Sequence, residues 1–260
     1  MGEKGWRFPT TEDTDAAGEN VIPDPLPGHE KNTHLRDVYF SVEPEYAGRF
    51  TVPVLFDKKT CTIVNNESSE ILRMLGRVFN AQLSEPYASL DLYPEALRAQ
   101  IDEAGDWTYD KINNGVYKSG FATTQEAYEK NVVALFEALD RAEEQLRTSA
   151  GPYFFGHVLT ETDIRLYVTL VRFDPVYVQH FKCNIRDIRS GYPALHKWMR
   201  ALYWSHPSGA FKDTTNFLHI KSHYTKSHTQ INPFSICPVG PLPDILPVDE
   251  EVVAVKKGGA

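Results

Sequence analysis

Long hydrophobic runs are missing from this sequence: no stretch reaches the roughly 18 apolar residues that a membrane-spanning helix requires, so no membrane span is expected. The N-terminal MGEKGWRFPTTEDTD also lacks the apolar core of a secretory leader. It opens with Met-Gly, but Trp6 stands where a myristoylation signal needs a small hydroxyl residue. Cysteine is scarce. Cys61, Cys183 and Cys237 are widely spaced and odd in number, which suits a reducing compartment better than a disulfide framework. Positive charge is in short supply too: 27 basic residues against 35 acidic ones leave a net charge of −8, which argues against a nucleic-acid or anionic-membrane footprint. The expectation is a cytoplasmic protein with neither a nucleic-acid nor a membrane partner. No internal repeat is visible.

What is present suits a folded chain. At 260 residues and 42% hydrophobic content it can form one large domain or two modest ones with a buried core. Residues 1–33 are rich in Gly, Pro, Asp and Glu and read as irregular loop. LRDVYFSVEPEYAG begins as a short helix and ends in turn residues. TVPVLF and CTIVN are β-branched runs separated by DKKT, the pattern of a hairpin, and ESSEILRMLGRVFN continues with Ile71, Leu72, Leu75, Val78 and Phe79 at helical spacing. From about residue 80 to 94 the composition shifts, and everything beyond reads as helix, so a domain of residues 1–80 and a helical domain of 90–230 are expected.

Within the helical part, EALRAQIDEAGDWTYDKINNGVYKSG reads as one long helix ending at Gly120, and the segment from Thr123 to Ser149 as a second with an apolar face. Thr160 and Asp163 match a capping box before a third helix that is apolar nearly all round. YPALHKWMRALYWS is a fourth, with Pro193 in its first turn. The segment from Asp213 onward, with Pro233, Pro238, Pro241, Pro243 and Pro247, reads as extended, and residues 231–260 as a proline-rich tail.

The hairpin and the helix after it are the first candidate site. Val52-Pro53 removes one ladder N–H, as at an edge strand or a ligand-binding stretch, and a cis bond there would turn the N–H and C=O of Val52 outward to pair with an extended peptide. Asn66 is positioned to cap the next helix, with Glu67 and Ser68 in its first turn, where free N–H groups favour an anion. Ser68 would bind a carboxylate and Glu67 an ammonium, and glutathione is a peptide-like ligand with that combination. Each feature also has a plain structural reading, an edge device and a helix cap, and the two readings are about even from spacing alone. His219, His223 and His228 suggest a metal, but their spacings carry no carboxylate or cysteine partner, so no metal is expected.

The blocks GWRFP, LRDVYFSVEPEYAGRFTVPVLFDKKTCTIVNNESSEILRML, NNGVYKSGFATTQEAYE, LTETDIRLYVTLVRFD and HIKSHYTKSHTQINPFSICPVGP resemble the xi class of glutathione transferases, the glutathionyl-hydroquinone reductases, over about residues 5 to 244. The resemblance implies a thioredoxin-like N-terminal domain, an all-helical C-terminal domain and a homodimer. It implies reduction of glutathionyl-hydroquinones by a cysteine thiolate that attacks the glutathione sulfur, with a second glutathione resolving the mixed disulfide. By position, Trp6, Val52, Pro53, Glu67 and Ser68 match the family's glutathione contacts, and Arg49 adds a charge for the glycyl end. Tyr117 and Tyr224 match tyrosines lining the hydroquinone pocket, where a phenol ring offers an apolar face and one hydroxyl.

One part of the family pattern is missing. The catalytic cysteine of the family lies in a Cys-Pro-Trp-Ala motif at a helix N-terminus, where the dipole favours the thiolate, and this sequence contains no such motif. The first strand, first helix and second strand of the thioredoxin fold are expected to be absent with it, no catalytic residue is assigned, and Cys61, Cys183 and Cys237 read as incidental thiols. Two readings stay open: a shortened form of an active reductase, or a non-catalytic protein that binds glutathione or a phenolic ligand.

Overall fold

A computed structural model describes residues 4–9 and 31–249, which fall into two compact units divided between Asp91 and Leu92. The extreme C-terminal part of the expected tail and most of the N-terminal loop lie outside the described residues.

In the first unit, helix α1 spans Leu35–Val42. The Asp37 carboxylate accepts the N–H groups of Thr33 and His34 at 2.9 Å each, satisfying donors that the helix start leaves unpaired. The segment holding Trp6 lies antiparallel to this start: the Leu35 N–H donates to the Trp6 carbonyl at 2.9 Å, and the Phe8 N–H to the Thr33 carbonyl at the same distance. Behind α1, Tyr39 packs against Tyr46 and Phe50, with ring centroids 4.8 and 5.6 Å away.

The hairpin forms, but shorter than expected. Strand β1 is Leu55–Asp57 and β2 is Thr62–Asn65, paired antiparallel with an irregularity between Leu55 and Phe56. Pro53 has no N–H to give a ladder, so pairing starts beyond it. The turn is closed by the Asp57 carboxylate, which accepts from the N–H groups of Lys59 at 2.7 Å and Thr60 at 3.1 Å. Helix α2, Ser68–Leu75, ends at Gly76, so Val78 and Phe79 fall in the following turn and are exposed rather than extending its apolar face.

In the second unit the expected long helix is four pieces: a 3-10 turn at Glu95–Leu97, α3 at Arg98–Thr108, a π turn at Tyr109–Asn113, and α4 at Gly115–Gly120. The extra residue of the π turn turns the Asn113 side chain onto the chain of another helix, where its amide donates to the Arg165 carbonyl at 2.7 Å and to the Thr169 hydroxyl at 2.6 Å. Gly120 is required by close approach, because a Cβ there would lie 2.1 Å from the Phe181 ring.

Helix α5, Gln125–Thr148, starts at Thr124, whose hydroxyl accepts the Ala127 N–H, and buries Val132, Leu135, Phe136 and Leu139 on one face. Helix α6, Glu161–Leu170, has the expected box: the buried Asp163 carboxylate accepts from the Thr160 N–H and, beyond it, from the Phe154 N–H and the Trp198 indole. A second π turn, Phe173–Tyr177, leads into the short α7 at Val178–His180. Then come α8 at Ile188–Gly191, α9 at Pro193–Arg200, a third π turn at Ala201–Ser205, and α10 at Ala210–Asp213.

The chain beyond Asp213 is not all extended. Helix α11 spans Phe217–Ser227, capped by the Asn216 side chain, which accepts the His219 N–H at 3.0 Å. No proline occurs between Pro207 and Pro233, so nothing in that stretch forbids the helix. Only after it does the proline-rich strap begin.

Asp174, in the second π turn, accepts the N–H groups of Ile188 at 2.7 Å and Arg189 at 3.0 Å and so fixes the start of α8. Burial pushes its carboxyl up to about 6, with Asp187 adding to the shift. The folded chain therefore holds this proton more tightly than the unfolded one, and the associated stability, complete below about pH 4, is lost as pH rises through about 6. Urea unfolding across this window should show the parent losing stability relative to Asp174→Asn as pH rises.

Candidate functional site

The first cluster is built on one buried hydroxyl. Tyr39, 3% exposed, donates from its hydroxyl to the Thr51 carbonyl at 2.8 Å. The Asn66 amide donates to that same hydroxyl at 3.1 Å and to the Thr51 side chain at 3.2 Å. Thr51 precedes Val52, and Asn66 precedes the helix start, so this network ties the two expected binding stretches together. Val52 follows with a side chain 50% exposed and a cis bond to Pro53. Its own N–H and C=O have no hydrogen-bond partner among the described residues.

Asn66 is therefore not the cap of α2. That position belongs to Glu67, and Asn66 is spent on Tyr39 and Thr51. The Glu67 N–H is taken by the Asn65 side chain at 2.6 Å, whereas the N–H groups of Ser68 and Ser69, first in the helix, have no partner among the described residues. Glu67, Ser68 and Arg49 are exposed. Trp6 is half-buried and held by its carbonyl at the start of α1.

The second cluster is aromatic. Tyr224 on α11 lies in a row of three phenols: its hydroxyl is 2.9 Å from that of Tyr177 and 2.5 Å from that of Tyr117. Tyr177 is 2% exposed, Tyr224 8% and Tyr117 37%, so the row runs from the interior to solvent. Phe181 stacks on Tyr177 with ring centroids 5.5 Å apart, and Phe121 stacks on Tyr117 at 6.4 Å. Burial drives the Tyr177 and Tyr224 phenols well above their ordinary value, so both keep their protons. Beside them, the rings of His180 and His228 share a hydrogen bond of 3.1 Å, and burial together with His180 pushes His228 down to about 4.

Comparison with known proteins gives these clusters a family. The profile of the glutathione S-transferase C-terminal domain matches residues 125–201. Glutathione S-transferase omega-like 2 of Schizosaccharomyces pombe is 54% identical over 246 residues, 94% of this chain and 75% of the relative. The glutathionyl-hydroquinone reductase YqjG of Escherichia coli is 45% identical over 94% of this chain and 69% of the relative, and its glutathione-bound structure superposes with a TM-score of 0.82, covering 98% of this chain and 76% of that one. The glutathione transferase Xi of Phanerochaete chrysosporium superposes with a TM-score of 0.87 at 61% identity, covering 96% of this chain and 80% of that one. This chain is a xi-class glutathione transferase.

The fold of this xi-class chain is accordingly that of the glutathione transferases, with a small two-stranded sheet and a large helical part. Tyr177 is the residue of the phenol row that sequence reasoning missed. Its signal was there, because Phe173, Tyr177 and Phe181 recur every fourth residue, but the buried helix expected there ended at Phe173 and left Tyr177 unassigned. His228 was grouped with His219 and His223, and the structure pairs it with His180 instead. The exposed Cys61 sits in the hairpin turn, Cys237 in the strap, and the buried Cys183 thiol is pushed up to about 12 by burial, so none of the three stands at a helix N-terminus that would favour a thiolate. No helix among the described residues is long and apolar enough to cross a membrane.

The Tyr177 hydroxyl has Tyr224 as its hydrogen-bond partner and no other among the described residues. Replacing it by Phe keeps the ring's shape and leaves one buried hydroxyl short of a bond, so Tyr177→Phe should cost about 1–2 kcal/mol in chemical denaturation. Tyr117→Phe, at the solvent end of the row, should cost less than half of that.

Proposed function

We propose that the first unit of this xi-class chain binds glutathione, that the second binds the phenolic part of a glutathionyl-hydroquinone, and that both serve a glutathione-dependent reductase. The observation that supports this best is the Asn66–Tyr39–Thr51 network, which joins a stretch of unpaired main chain at Val52 to a helix start whose first amides are open. An extended peptide gains main-chain hydrogen bonds at the first, and a carboxylate gains N–H donors and the helix dipole at the second. Glu67 receives the ammonium, Ser68 the carboxylate, Trp6 packs on the peptide, and Arg49 adds charge for the far carboxylate.

In the second unit the flat faces of Tyr117 and Phe121 suit an aromatic ring, and the Tyr117 hydroxyl, at the solvent end of the row, suits its oxygen. The overall reaction is glutathionyl-hydroquinone plus glutathione giving hydroquinone and glutathione disulfide. A cysteine thiolate takes the glutathionyl group, the hydroquinone carbon gains a proton, and a second glutathione releases the thiol. Cys61, Cys183 and Cys237 are not assigned to that step. The same reading includes a cytoplasmic homodimer, which sedimentation tests.

Calorimetry with reduced glutathione on the 260-residue chain is the direct test. Binding is expected, and Ser68→Ala should weaken it about tenfold, the worth of one hydrogen bond to a charged group. Absence of any binding heat from folded protein would reject the reading. With glutathionyl-hydroquinone, residues 1–260 alone should show no thiol-dependent turnover, and turnover that vanishes on replacing one of the three cysteines would overturn that part.

A further inference from the structure

A buried lysine sits one turn before Tyr224 on the same helix. Lys221 is 8% exposed, its ammonium donates to the Val239 carbonyl at 2.9 Å, and it pairs with the Asp244 carboxylate. Both partners belong to the strap that follows α11. Other side chains fasten the same strap through its carbonyls: Arg189 on Pro243 at 2.5 Å, the Trp204 indole on Leu246 at 2.9 Å, and Arg200 on Pro247 at 2.5 Å. Ile245, between them, is buried in the core. Nearer the helix end, the Asn232 amide donates to the Thr225 carbonyl at 2.9 Å.

For stability alone this is a poor use of a charge. Desolvating a lysine and an aspartate costs about as much as their attraction returns, and apolar side chains of similar volume often do as well or better. What an ion pair adds is specificity of register, since it tolerates one geometry where an apolar contact tolerates several. Helix α11 needs such a device: its inner face must bring the Tyr224 hydroxyl within bonding distance of Tyr177 and Tyr117 together, and a small rotation or slide would lose one of them.

We infer that Lys221, clamped to the strap by Asp244 and the Val239 carbonyl, is a positioning residue that sets the register of α11 and so holds Tyr224 in the phenol row. The ligand consequence rests on the proposed phenol site; the effect on the row itself does not.

The deciding variant is Lys221→Met combined with Asp244→Val, which removes both charges and stays close to the volume of the pair. Its melting temperature should equal or exceed the parent's, while the hydrogen-bonded hydroxyl proton of Tyr224, followed by NMR in tyrosine-labelled, ligand-free protein, should shift and exchange faster. Binding of 4-nitrophenolate, measured by calorimetry, should weaken at least tenfold, and Lys221→Arg should keep most of the parent's behaviour. An unchanged Tyr224 hydroxyl signal in the double variant overturns the inference, and so does a double variant that melts well below the parent, since the pair would then act through stability. If the parent itself fails to bind 4-nitrophenolate, the proposed phenol site falls and the NMR signal still decides the register.

Discussion

A tyrosine hydroxyl taken out of water must find a partner, and at Tyr177 the available partner is another hydroxyl, that of Tyr224 at 2.9 Å. Either oxygen can donate across this contact, but buried donors are seldom left orphaned, whereas an acceptor with two lone pairs is more often left partly unsatisfied. With Tyr177 as the donor to Tyr224, the Tyr224 proton is free for Tyr117, and the proton of Tyr117 points away from the row. Each bond polarises the next. In that arrangement the fully buried residue leaves the exposed end of the row a donor, which suits the phenolate or carbonyl oxygen of the proposed ligand. High phenol pKa values at Tyr177 and Tyr224 keep that polarity intact at ordinary pH.

The first unit applies the same constraint to a different end. Tyr39 is buried among Tyr46 and Phe50, and its hydroxyl has to be satisfied by main chain and an amide. Satisfying it fixes Thr51 and Asn66, and these are the residues from which Val52 and the α2 start emerge. The two stretches proposed to bind glutathione need no hydrogen bonds of their own to stay in place, so their polar groups remain open. Rigid support with open donors is how a site avoids the ordering cost of binding.

Much of this was legible in the sequence because it depends on local chemistry. The Thr160–Asp163 box, Pro193 at a helix start and the Lys-Lys turn between two β-branched runs each act over a few residues. What was not legible depends on partners far along the chain. Asn66 has a good capping side chain, but Tyr39, 27 residues earlier, claims it. The stretch from Glu95 to Gly120 has helical spacing throughout, and nothing local announces that Asn113 will bond to Arg165 and Thr169, 52 and 56 residues away, and open a π turn. The proline content of the C-terminal region hid α11 because composition averaged over the whole segment masked a proline-free stretch within it.

The π turns show why these misses fall where the proposed phenol site does. A π turn adds a residue to a helical turn and rotates everything after it by about 100° relative to an uninterrupted helix, at some cost in hydrogen-bond geometry. Tyr117 follows one of them by four residues and Tyr177 closes another. In an uninterrupted helix the apolar periodicity would govern both side chains, and neither hydroxyl would be bound to meet α11. The two departures from regular helix therefore do for Tyr117 and Tyr177 what the charged strap does for Tyr224. Two elements leave regular helix and the third is tied in register, and the hydroxyls meet because all three constraints hold.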